Sequence, residues 1–215
     1  MAMMAGSETE KDEDECPYKI ESDEVLFRGQ WMSGRHVNFL DKASGVRKVW
    51  QSAFRSTKQP GVDVDGVDII ATLIRDGGAS RHFVFVKQYR IPLNAFCLEF
   101  PAGLIDANET VEQAGLRELK EETGYTASRV IALTKGRHGL DPGLTDDTVQ
   151  FLTVEIDGDL PENQTPTQQL EVGEHVQVVL VPCDSIMQAL RDITERGVSV
   201  EAMLYSFAIG YSMTH

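Results

Sequence analysis

Between Val25 and Phe54, apolar and polar side chains alternate with the two-residue period of strands whose two faces differ. Val25-Leu26-Phe27 opens the run, a second strand is expected near His36–Leu40, and Val46–Phe54 forms the third after the turn Asp41–Gly45. Three short strands bury little core alone, so this meander is expected to dock on something. Ser56–Val64 is charged and carries Pro60 and Gly61, and it reads as a connector. The boundary there separates an N-terminal module, 25–60, from a main domain, 61–215.

Beyond Asp65 the pattern changes. Val67–Ile74 and His82–Val86 are nearly continuous runs of β-branched and aromatic residues, as in fully buried strands, and Asp76-Gly77-Gly78-Ala79 turns between them. Cys97–Phe100, Arg129–Thr134, Val149–Ile156 and His175–Val181 predict further strands. Helical spacing appears from Thr110 to Gly124, from Asp184 or Ser185 to just before Gly197, and over roughly Glu201–Tyr211.

Composition narrows the classes. The 215 residues are 41% hydrophobic, a normal core content, and no apolar run is long enough for a membrane span. Three cysteines, Cys16, Cys97 and Cys183, have no metal-ligand spacing and point to a reducing, cytoplasmic or nuclear compartment. The net charge of −14 argues against a nucleic-acid binder. Half of that excess lies in residues 1–24, with nine acidic and two basic side chains. This stretch is expected to be a disordered, solubilising tail and does not have the make-up of a signal peptide.

Candidate chemistry concentrates in residues 103–125. Thr110 and Gln113 match a capping box, and Gly124 stands where a left-handed residue would end the helix. Glu118, Glu121 and Glu122 then share one helix face. Such a patch repels itself unless neutralised, and a hard divalent ion with oxygen ligands, Mg2+ or Mn2+, suits it. For a generic acidic run, a solvated helix face would be explanation enough. Here Gly103, Glu109, Arg117-Glu118-Leu119-Lys120-Glu121-Glu122 and Gly124 fall together in a pattern that resembles the Nudix box, with every signature position filled.

The resemblance implies an α/β (α+β) fold, an α/β/α sandwich with a mixed sheet, here with the antiparallel β-meander module added. It implies hydrolysis of a nucleoside diphosphate linked to another group. It makes Glu118, Glu122 and the Ala102 carbonyl metal ligands, and Glu121 a ligand or catalytic near-ligand, around two or three ions. Glu109 and Arg117 become a structural pair between Gly103 and Gly124.

Further stretches, GQW at 29–31, RKVWQSAFR at 47–55, KQYRIPLNAFCLEFPAG at 87–103 and LDPGLTDD at 140–147, resemble the ADP-sugar (ADP-ribose) pyrophosphatase branch of that family. In that branch two subunits exchange the N-terminal module, and tryptophans from both sandwich the adenine. Trp31 and Trp50 stand at those positions, although alone they would read as staples for the module. The same resemblance assigns Arg90 to the diphosphate, Arg55 to the ligand's side, Leu104 and Leu140 to the pocket wall and Asp141 to the terminal ribose. Gln51 replaces a glutamate that contacts adenine, which puts base preference in question. The general base is expected on the lid-length loop Asp157–Glu174, with Glu174 favoured over Glu171 and His175 read as structural. The substrate expected is thus ADP-ribose or another ADP-sugar, and the assembly a homodimer with no nucleic-acid or membrane partner. Rival readings are hydrolysis of oxidised nucleoside diphosphates and a non-catalytic ADP-ribose sensor.

Overall fold

Two sheets hold the named strands of the computed structural model, which describes residues 15–58 and 61–214. The chain divides into two compact units. One ends at Thr57 and includes Asp141–Asp146; the other comprises Lys58–Leu140 and the chain from Asp147 onward.

In the first unit, β1 (Tyr18–Arg28), β2 (Met32–Asp41) and β3 (Arg47–Arg55) form an antiparallel sheet in sequence order. The meander thus begins at Tyr18, inside the stretch expected to be a disordered tail; residues 1–14 lie outside the described residues. Charge does not oppose this strand, because Lys19, Glu21 and Asp23 are all exposed, and Glu21 pairs with Arg47 at 3.0 Å. Tyr18 meets Phe39 edge to face, with ring centroids 4.9 Å apart.

The second unit is built on a nine-stranded mixed sheet. Its centre is β4 (Gly66–Arg75), β5 (Ser80–Arg90) and β6 (Ala95–Glu99), followed by the short β7 (Ala102–Leu104). Helix α1 (Val111–Thr123) follows, then β8 (Arg129–Leu133), β9 (His138–Gly139), β10 (Thr148–Asp157) and the single turn α2 (Pro161–Gln164). β11 (Val176–Pro182), α3 (Ile186–Glu195), β12 (Ser199–Val200) and α4 (Ala202–Ser212) complete it. β4 runs parallel to β10 and antiparallel to β5.

Alternation along the strands supplies two cores. Val84 joins Val67, Ile69, Leu152 and α1 residues Ala114 and Leu119 on one face. Its neighbours Phe83 and Phe85 join Phe100, Leu190 of α3 and Leu204 of α4 on the other. This is an α/β/α sandwich, and it explains why β4 and β5 read as unbroken apolar runs: each strand is covered on both sides.

Candidate active site

The site grows from one short path. β6 leads through Pro101 into β7, which pairs with β4 at Gly66–Asp68, and the chain then enters α1. The reciprocal capping box is formed: Gln113 N–H donates to Thr110 Oγ1 at 3.2 Å, and Thr110 N–H to Gln113 Oε1 at 2.9 Å. Gly124 ends the helix at φ 75°, and a Cβ there would lie 2.5 Å from the Thr167 nitrogen.

Glu122, 6% exposed, accepts the Ala102 N–H at 3.0 Å. Burial pushes its carboxyl up to about 8, and the nearby Glu118 and Glu174 add to the rise. Glu118 is also raised, first by burial, while Arg117 opposes the shift. A Cβ on Gly103 would stand 1.8 Å from Glu118 Oε1, so only glycine leaves this carboxylate its place. Arg117 is the hub. It forks onto Glu109 at 2.9 Å through both Nε and Nη2, and it reaches Glu118 at 2.8 Å, Glu121 at 3.1 Å and the Leu104 carbonyl at 3.1 Å. Those bonds hold the guanidinium's pKa well above its ordinary value, the Glu109 pair first.

The donor chemistry fits a hard dication: oxygen ligands only, one carboxylate buried with a single N–H partner, and a space that no Cβ fills. Among the described residues, no three His, Cys, Asp or Glu side chains converge at ligating distance. Arg117 is the shared cation of Glu118 and Glu121.

Glu174 and Glu171 close one turn. Glu171 N–H donates to Glu174 Oε2 at 2.9 Å, and Glu174 N–H to the Glu171 carbonyl at 3.1 Å. Most of the segment expected to act as a lid is instead fastened down. Asn163, fully buried, bonds Thr126 and the Asp157 carbonyl, while Gln168 and Gln169 bond the Glu122 and Glu121 carbonyls at 2.5 and 2.8 Å. Val172, at the tip between Glu171 and Glu174, is fully exposed.

Arg90 forks onto buried Glu99 at 2.8 and 2.6 Å. Glu99 belongs to an acidic group that the sequence reading missed, together with Asp68 and Glu201. Burial first, then neighbouring carboxylates, push Asp68 and Glu201 each up to about 7. The signal was available: a lone acid inside the apolar runs VDIIATLI and CLEF. Leu104 is 40% exposed on β7, and Leu140 N–H bonds the Asp147 carbonyl at 3.1 Å.

In the first unit, Trp31 and Trp50 are 69% and 53% exposed. Gln51 and Arg55 lie on the face of β3 opposite Trp50, because consecutive strand residues alternate. One face of this sheet therefore does not bring the four together. Asp141 begins a turn whose carbonyl accepts Leu144 and Thr145 N–H at 2.9 and 2.8 Å. A separate groove of about 830 Å3 near Arg81, Asp184 and Arg191 contains none of the box residues.

Comparison with known proteins agrees with this geometry. The NUDIX domain model matches residues 65–201. A Caenorhabditis elegans protein bearing a nudix hydrolase name is 45% identical over 91% of this chain and 86% of its own length. The ADP-ribose pyrophosphatase of Saccharomyces cerevisiae is 35% identical over 86% and 78%, and the ADP-sugar pyrophosphatase of Mus musculus 32% over 94% and 92%. The crystal structure of an ADP compounds hydrolase superposes with a TM-score of 0.58, covering 82% of this chain and 84% of that one at 21% identity, a likeness of fold.

Proposed function

Because this chain belongs to the NUDIX family, we propose that it hydrolyses the diphosphate of ADP-ribose and related ADP-sugars, releasing AMP and a sugar phosphate. The observation that carries the reading is the buried Glu122 carboxylate on the Ala102 N–H, beside a Glu118 that only Gly103 can accommodate. The names of the yeast and mouse relatives support the substrate class.

Glu118, Glu122, the Ala102 carbonyl and Glu121 would hold two or three Mg2+ or Mn2+ ions. Such ions, when bound, offset the diphosphate charge and acidify a coordinated water. The protein's own residues do the rest. Arg117, braced by Glu109, orients Glu118 and Glu121. Glu174 takes the proton of the attacking water; its support is a charge close enough to raise both Glu118 and Glu122. Arg90 binds the diphosphate, oriented by its fork onto Glu99.

Trp31 and Trp50 stack the adenine, with Gln51 and Arg55 beside it, Leu104 and Leu140 walling the pocket and Asp141 on the terminal ribose. A homodimer that exchanges the N-terminal module lets two copies offer both faces of the small sheet. No helix among the described residues is long and apolar enough to cross a membrane, and Cys16, Cys97 and Cys183 are free thiols. These features accord with a cytoplasmic setting, with the nucleus also accessible. The test is AMP release with Mg2+ from ADP-ribose, run beside 8-oxo-dGDP. Preferred turnover of ADP-ribose is expected. Preference for the oxidised nucleotide, or ADP-ribose binding without turnover, would overturn the reading.

A further inference from the structure

We propose that Arg35 and Asp146 form a latch that positions Trp50 and the loop Asp141–Asp146 for the substrate. The proposal rests on the reading of Trp50 as the adenine platform, and it concerns a pair that touches no substrate.

The loop lies far along the chain from β3, yet it belongs to the same compact unit. It lies along β3: Ala53 N–H donates to the Leu144 carbonyl at 2.9 Å, and Ala53 and Thr145 form a parallel bridge. Trp50 Nε1 donates to the Gly143 carbonyl at 3.2 Å, so the loop also sets the direction of the indole. These are three light contacts on a partly exposed surface.

One charged pair reinforces them. Arg35 stands opposite Ser52 in the ladder, so its side chain shares a face with Trp50, Ser52 and Phe54. Its guanidinium lies 4.7 Å from the Phe54 ring centre, and its Nη2 donates to the Asp146 carboxylate. Nη1 lies 3.6 Å from Asp23 of β1, so one cation links β1, β2, β3 and the loop. The Arg35 side chain is 26% exposed, and its Nε is buried with no hydrogen-bond partner. Removing Asp146 therefore leaves a mostly desolvated cation with only the longer Asp23 contact and the Phe54 ring, while removing Arg35 takes the ion-pair partner from the loop's last residue. Either change loosens Gly143, the acceptor of Trp50, and Asp141 at the other end of the same turn. Arg35 and Asp146 are positioning residues, and their loss shows in binding rather than in the chemical step.

The experiment uses the full chain with Arg35→Met, Asp146→Asn, the double variant, and the charge swap Arg35→Asp with Asp146→Arg. Each single change is expected to raise the ADP-ribose KM about tenfold with kcat within about twofold. The double should be no worse than either single, the mark of a coupled pair. The swap should recover part of the loss.

A second readout needs no turnover. In a Trp31→Phe background Trp50 is the sole tryptophan, and Asp146→Asn should raise its acrylamide quenching about twofold, with Asp146→Glu restoring it. Unchanged KM and unchanged quenching in the single variants overturn the latch. Losses that simply add in the double variant overturn it as well. If the wild type fails to turn over ADP-ribose, the proposed function falls, and the quenching series still decides the latch.

Discussion

The two units are built from similar strands with opposite results. In the second, Val67, Ile69 and Leu73 of β4 are all 0% exposed. In the first, Phe39 is the only buried hydrophobic residue among those described, while Ile20 and Leu26 are each 56% exposed and Trp31 69%. The small sheet alternates apolar and polar residues, whereas β4 and β5 carry nearly unbroken apolar runs. What also differs is the number of layers: the large sheet has α1 on one face and α3 and α4 on the other, whereas the small sheet has no helix of its own. A sheet without a covering layer keeps its apolar surface available, and a contiguous patch of that kind marks an interaction surface. The second unit holds the box carboxylates under covered strands, and the first holds the two exposed tryptophans.

That contrast can be broken by variants on either side. On the proposed function, Glu122→Gln is expected to lower ADP-ribose turnover by at least ~10³-fold, because it removes one of the carboxylates proposed to hold the metal. Without added metal it should not lower the melting temperature, since the glutamine amide oxygen can still accept the Ala102 N–H. Turnover within tenfold of wild type would remove the box from the centre of the chemistry. In the small sheet, Leu26→Asp should weaken self-association on the order of 10²-fold in light scattering. A persistent dimer would mean that this face is not its seam.

Trp50→Ala should raise the KM for ADP-ribose about tenfold at nearly constant kcat, given a stacking value of about 1–3 kcal/mol per base. A fall in kcat with KM unchanged would assign the first unit a part in the chemistry after all. Glu201→Gln tests the missed acidic group. Burial raises the Glu201 carboxyl from 4.5 to about 7. Its contribution to stability is thus complete below pH 4.5 and lost as pH rises through 7. The variant should match wild type near pH 4.5 and exceed it by roughly 2 kcal/mol above pH 8 in urea melts. Smallest, Thr110→Ala should cost about 1 kcal/mol of stability through the lost cap.

Much of the second unit was legible in the sequence because its signals are local. The box helix begins at Thr110 and ends at Gly124 since capping and a left-handed terminus depend on a few neighbouring residues. The Glu109–Arg117 fork follows from spacing along one loop and helix turn. Boundaries slipped where burial and pairing decide: β1 begins at Tyr18 because β2 offers a partner strand, and the short β7, β9 and β12 exist only as ladder partners of longer strands.

The residue pattern alone determined the family, the cluster of carboxylates and the order of most elements, because each is written in contiguous residues. Only the tertiary structure decided that Arg117 pairs with Glu118 as well as Glu109 and Glu121, that Asn163 and Gln168 tie down a segment composed like a lid, and that Asp146 meets Arg35. Each of these depends on which distant residues share a desolvated space. No local rule supplies that partnership, because the free energy of a polar group depends on what else is buried beside it.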